Sequence, residues 1–141
     1  MPLVRIDLAA GKPAEYRRAI GQVVYDALLT INVPKDDRFQ VISEHAPTDL
    51  VIDPGYLGIA RSADCLIVQI TLNEGRSLDQ KRALYEGIAD GLHDRLGMRR
   101  EDVCINLVEV SKDNWSYGNG EAQYAPCALP ASPPRLTQEI A

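Results

Sequence analysis

Apolar and polar residues alternate from the start of the chain. Leu3–Leu8 reads Leu, Val, Arg, Ile, Asp, Leu, a period of two that predicts a strand, with Pro2 suited to its first position. After the breaker Gly11-Lys12-Pro13 the period lengthens. Tyr16, Ile20, Val24, Leu28 and Ile31 recur at steps of four and three, the apolar stripe of an amphipathic helix. That helix must stop before Val33-Pro34, because the residue preceding a proline is pushed out of the helical region. Phe39, Val41 and Ile42 predict a second strand. The stretch from His45 to Ala63 is irregular, punctuated by Pro47, Pro54, Gly55 and Gly58. Cys65–Leu72 is the clearest strand of the chain and runs into the turn Asn73-Glu74-Gly75-Arg76-Ser77, where Ser77 can cap the next helix. Leu84, Ile88, Leu92 and Leu96 mark that helix, Gly97 stands where a C-terminal glycine cap belongs, and Val103–Val110 supplies a fourth strand.

The order strand, helix, strand therefore occurs twice, the second unit starting about 63 residues after the first. A helical crossover makes its two flanking strands parallel and right-handed, so the predicted fold is an α+β (α/β sandwich) of two tandem β-α-β units, about 2–63 and 64–112. Its four-stranded mixed sheet carries both helices on one face. The opposite, apolar face is left uncovered in a single subunit, which is a physical reason to expect a homo-oligomer. Beyond Val110, the Trp-, Tyr- and Gly-dense segment Asn114–Tyr124 predicts a short hairpin that completes a domain over 1–125. A Pro-rich, loosely held tail over 126–141 follows.

Composition fits one ordinary globular domain: 141 residues, 45% apolar and 25% charged. No apolar run is long enough to span a bilayer and no signal-peptide layout opens the chain, so a cytoplasmic protein with no membrane partner is expected. Cys65, Cys104 and Cys127 are odd in number and lack a C-x-x-C spacing, so they read as reduced thiols, Cys65 and Cys104 as small core residues. A net charge of −5 argues against nucleic acid as a partner, since phosphate binding needs a concentrated basic face. Arg17-Arg18 and Arg99-Arg100 read as helix surface or helix end, and His45 and His93 as structural or solvated. No metal-ligand spacing is present, so neither a metal nor another cofactor is expected.

Candidate chemistry begins at Pro2. A proline behind Met1 is most often an inert terminus, but here it leads directly into a predicted buried strand, and its small side chain favours removal of Met1. The freed secondary amine would be a fixed base or acid. An α-amino group titrates near about 7.7–8.0, and burial or a neighbouring cation lowers that value because both penalise the charged form. Such an amine can abstract a proton beside a carbonyl, can polarise a carbonyl if it stays protonated, and as a nucleophile can form an iminium.

With Pro2-Leu3, Val33-Pro34 followed by Asp37-Arg38-Phe39-Gln40, Ser43 with His45, Arg76-Ser77 with Gln80-Lys81, Val108-Glu109, and Asp113 to Gly120 containing Trp115-Ser116-Tyr117-Gly118, the sequence resembles the tautomerase superfamily. Within it the resemblance is to the group of malonate semialdehyde decarboxylase, and it runs from Pro2 to about Tyr124. It implies a barrel-like homotrimer with the proline at the base of a small pocket and Pro2 as the catalytic amine. Asp37 matches an aspartate that orients or activates water, and Arg76 the second of two arginines that hold a substrate carboxylate. Glu74 stands where the first arginine is expected. It either points to solvent or pairs with Arg76, and Asn73 could supply an amide hydrogen bond to the substrate in partial compensation. Trp115, Tyr117 and Tyr124 match an aromatic wall that dries the pocket and stacks on a flat substrate; a clamp between subunits or a hairpin core is the alternative.

The expected function is keto-enol tautomerisation of a small 2-oxo acid with Pro2 as general base and acid. The alternative keeps the same residues with Pro2 cationic, for decarboxylation or hydration of a malonate semialdehyde-like acid. A catalytically silent trimeric binding protein is the reading if Met1 is retained, since the proline nitrogen is then an amide. A small carboxylate and two further copies of the chain are the expected partners.

Overall fold

The computed structural model describes residues 2–126. Met1, Cys127 and nearly all of the predicted tail lie outside the described residues. Through Ser111 the chain forms one compact unit, and a second unit begins at Lys112.

The first unit contains β1 (Leu3–Ala9), α1 (Ala14–Leu29), β2 (Phe39–His45), β3 (Leu66–Asn73), α2 (Leu78–Leu96) and β4 (Val103–Val110), with single 3-10 turns at Tyr56–Gly58 and Arg100–Asp102. The sheet order is β2-β1-β3-β4. β1 pairs parallel with β2, β3 pairs parallel with β4, and the two central strands β1 and β3 run antiparallel. This is the tandem β-α-β mixed sheet that the hydrophobic pattern predicts.

Period two in the strands and period 3.6 in the helices meet in one core. Val4, Ile6 and Leu8 of β1 and Leu66, Val68, Ile70 and Leu72 of β3 are buried against Ile20, Val24 and Leu28 of α1 and Leu84, Ile88 and Leu92 of α2. Each such side chain contributes roughly 1.5–3 kcal/mol relative to exposure. The α2 ends follow the predicted caps. Ser77 and Gln80 form a reciprocal capping box, and Gly97, at φ 64°, ends the helix with its N–H on His93 O. By contrast α1 stops at Leu29, earlier than the apolar stripe reaches. Asn32 adopts a left-handed φ of 69° and Val33 N–H closes back on Leu28 O at 3.2 Å.

The face away from the helices is mixed rather than plainly apolar. The register lines up Phe39, Leu3, Thr71 and Val108 in one row, then Val41, Arg5, Gln69 and Asn106, then Ser43, Asp7, Ile67 and Cys104. Cys104 is accordingly exposed, not a core residue: alternation along β4 turns it to the side opposite Val103 and Ile105. Cys65 is buried, as expected. Two polar pairs tie this face, Gln69 Nε2 to Asn106 Oδ1 at 3.0 Å and His45 Nε2 to Asp7 Oδ1 at 2.6 Å.

In the second unit no strand forms among the described residues. A 3-10 turn at Lys112–Asn114 leads into a loop instead of the predicted hairpin. Gly118, Asn119 and Gly120 all take positive φ (141°, 60° and 68°), a run that extended strands cannot accommodate. The side chain of Gln123 substitutes for a ladder: Tyr117 N–H donates to its Oε1 at 3.0 Å, and its Nε2 donates to Gly118 O at 2.9 Å.

Candidate active site

Strand register decides which residues gather at one end of the sheet. Leu3 stands beside Phe39 on one side and Thr71 on the other. The start of β1, the start of β2 and the end of β3 therefore share an edge, and this edge carries Pro2, Asp37 and the turn from Asn73 to Arg76.

Pro2 is buried, and Asp37 is only 6% exposed although Pro34, Lys35 and Asp36 before it are exposed. Pro2 and Asp37 line one narrow crevice, together with Tyr25, Leu28, Arg38 and Phe39. Both carboxylate oxygens of Asp37 are removed from solvent. Burial pushes its carboxyl above the usual aspartate range, because the charged form loses hydration.

On the β3 side, Glu74 N–H prolongs the ladder by donating to Val110 O at 2.9 Å. Gly75 then takes φ 115°, a conformation L side chains rarely adopt, and so folds Arg76 back on the strand it has just left. Arg76 Nη1 donates to Asn73 O at 3.2 Å. Its Nε is buried and finds no hydrogen-bond partner among the described residues. A buried donor left in that state costs about 1–3 kcal/mol, which a carboxylate oxygen would relieve. Glu74 is exposed and forms no ion pair with Arg76 among the described residues, so it does not neutralise that guanidinium. Asn73 is half-buried at the end of β3.

Trp115, Tyr117 and Tyr124 belong to the second unit and form a cluster there. Trp115 and Tyr117 stack at 5.3 Å between ring centroids with planes 12° apart, and Tyr124 meets Tyr117 edge-on at 5.7 Å.

The two histidines stand apart from the crevice. His45 pairs with Asp7 at the far end of β2, and His93 Nδ1 lies 3.0 Å from Met98 O. Among the described residues no group of three or more His, Cys, Asp or Glu is placed to hold a metal ion, and no helix is long and apolar enough to cross a membrane. Tyr25, which no sequence motif marks, and Arg38, which enters only within the motif Asp37-Arg38-Phe39-Gln40, also line the crevice. Tyr25 lies one step from the apolar stripe of α1, and its only sequence signal is that it follows Val24 on the buried side.

Two family models, both described as tautomerase enzyme, match residues 37–118 and residues 2–59. The probable tautomerase YusQ of Bacillus subtilis (strain 168) is 38% identical over 87% of this chain and 98% of its own length. Among solved structures, FG41 malonate semialdehyde decarboxylase inhibited by 3-bromopropiolate superposes with a TM-score of 0.81 at 36% identity, covering 86% of this chain and 93% of that one. A fused 4-OT protein solved as a wild-type symmetric trimer shares the fold at a TM-score of 0.69 and 24% identity, over 84% of this chain and 94% of that one. With matched regions that run from Pro2 to Gly118 and take in the whole β-α-β repeat, the chain belongs to the tautomerase family of enzymes.

Proposed function

We propose that the protein interconverts the enol and keto forms of a small 2-oxo acid, using the secondary amine of Pro2 after Met1 has been removed. The Pro2 nitrogen accepts the proton of the enol hydroxyl and a proton returns from the amine to the adjacent carbon, so the amine ends as it began. Arg76 holds the substrate carboxylate, with Asn73 beside it, and Asp37 orients the substrate or a water.

The observation that carries this reading is the crevice in which Pro2 and a buried carboxyl lie together. Burial raises the affinity of the Asp37 carboxyl for a proton. The buried Nε of Arg76 at the same sheet edge supports carboxylate as the recognised group. Assembly as a homotrimer is part of the proposal. Its support is the uncovered sheet face, with Phe39 at 45%, Val41 at 40% and Val108 at 38% exposure, and the trimeric state of the fused 4-OT relative in fold.

A second reading is favoured by the 36% identity to a malonate semialdehyde decarboxylase. In it Pro2 stays cationic and polarises the carbonyl of a 3-oxo acid. The carboxylate held by Arg76 then departs as carbon dioxide, its bonding pair passing to the carbonyl as an enolate that the Pro2 ammonium protonates at carbon before regaining a proton from water, or a water positioned by Asp37 adds to the carbonyl.

Four measurements test these readings. Enol acids and 3-oxo acids are offered to the native protein and to Pro2→Ala, with turnover followed by ultraviolet absorbance and NMR; equal turnover in both removes Pro2 from the mechanism. Titration of the 15N-labelled prolyl nitrogen separates the readings, a value below that of an ordinary α-amine supporting tautomerisation and a raised one supporting decarboxylation or hydration. Intact mass shows whether Met1 is lost, and sedimentation gives the oligomeric state.

A further inference from the structure

Asp37 can act on a substrate only if its carboxyl is kept inside the crevice, yet it sits in a turn that ought to be loose. Pro34, Lys35 and Asp36 are exposed, and Asp36 adopts a left-handed φ of 64°, a conformation a non-glycine residue takes only at a cost. One side chain on α1 reaches this turn at its strained point: the Asp36 N–H donates to the hydroxyl of Tyr25 at 3.2 Å. The ring of Tyr25 is itself held. The guanidinium of Arg38 lies 5.0 Å from its centroid, and Arg38 is fixed by Nη1 donating to Gln22 Oε1 at 2.9 Å and Nε donating to Gln40 Oε1 at 3.3 Å. Gln40 closes the chain of contacts by donating from Nε2 to Gly21 O at 2.8 Å. The glycine lets this side chain approach, since a Cβ at position 21 would fall 2.5 Å from Gln40 Oε1 and push it aside.

We propose that Tyr25, backed by Arg38, is a positioning residue for the reaction: its hydroxyl pins the Asp36 amide and thereby holds the Asp37 carboxyl beside Pro2. The inference rests on the role proposed for Asp37. Tyr25 acts by fixing the turn from α1, so the helix packing and the chemistry are connected through one hydroxyl. Release of that bond lets the turn relax its left-handed residue and carry Asp37 toward water.

The test is Tyr25→Phe, which keeps the ring that Arg38 covers and removes only the acceptor. Turnover is measured in the native and Asp37→Asn backgrounds, the Asp37 carboxyl is titrated by 13C NMR in the free protein, and melting is recorded for each variant. Expected are a fall in kcat of about 3–10-fold in the native background and less than about 2-fold in Asp37→Asn, as for residues acting through one another. The Asp37 titration should move toward that of an ordinary aspartate, at an unchanged melting temperature. Equal losses in the two backgrounds, or an Asp37 titration that does not move, overturn the proposal. The NMR arm needs no substrate, so it stays decisive even if Pro2→Ala retains full turnover and the proposed reaction fails.

Discussion

Gly91 on α2 sits directly against Val23 on α1: a Cβ added at Gly91 would fall 2.7 Å from Val23 Cγ1, and Val23 is 3% exposed. One turn earlier, a Cβ at Gly87 would meet Ala27 Cβ at 3.5 Å, an ordinary contact. A glycine inside a helix costs about 1 kcal/mol relative to alanine, whereas overpacking a core costs about 1–3 kcal/mol. Gly87→Ala is therefore expected to stabilise the protein by about 0.5–1 kcal/mol. Gly91→Ala is expected to destabilise it by about 1–2 kcal/mol. Urea denaturation of the two variants checks the opposite signs.

Burial of Asp37 fixes the sign of a pH effect. Its carboxyl binds a proton more tightly in the folded chain than in the unfolded one, so the folded state is the more protonated of the two between their pKa values. Stability contributed by this group is full below the unfolded value, about 3.9. It falls as pH rises toward the raised folded value and is level above it. Asp37→Asn removes the dependence. The variant should melt above the native protein at neutral pH, with the gap closing in acid, and melting curves across pH 3 to 8 measure it. Such a gain would set stability against activity at one residue.

Charge around Arg76 is open to redesign because Glu74 is exposed and two positions away. Glu74→Arg places a second cation at the sheet edge and should lower KM for a small carboxylate by about 3–10-fold with little change in kcat. The gain should shrink in high salt, since the added charge is exposed. Arg76→Gln should raise KM by about 10–100-fold. Steady-state kinetics at low and high ionic strength give both values.

Trp115 is the single tryptophan of the chain, so its fluorescence reports on the loop that carries it. Gln123→Ala removes both side-chain bonds that close this loop, on Tyr117 N and Gly118 O. The stack of Trp115 on Tyr117 should loosen and the emission shift to longer wavelength, while the far-ultraviolet dichroism of the helices stays unchanged.

The elements of the first unit were legible because each rests on a local rule. Period two locates β1, and runs of strand-forming residues locate β3 and β4; Ser77 and Gly97 mark the ends of α2; the residue before Pro34 bounds α1. Pro2 is a candidate from its place before β1, Asp37 and Arg76 come from resemblance, and their common sheet edge follows only from the register of β1 with β2 and β3. What stayed hidden depends on contacts across the chain. Tyr25 reaches Asp36 eleven residues on, and the burial of Asp102 follows from Ser62, whose N–H and hydroxyl donate to its carboxylate at 2.7 and 2.5 Å. The aromatic and glycine content of 114–124 predicts a hairpin where a loop forms, because that content is shared by both structures. A glutamine side chain that replaces a strand pairing leaves no periodic trace.

Antiparallel pairing of β1 with β3 at the centre of the sheet has a further consequence. It relates the two halves by an approximate half-turn, so the position that precedes β3, occupied by the buried Cys65, corresponds to Pro2 but lies at the opposite pole of the molecule. There Ser62 clasps the buried Asp102 carboxylate. The repeat thus sets its two ends apart: one pole can be stiffened, loosened or resurfaced while the crevice proposed as the active site stays intact at the other.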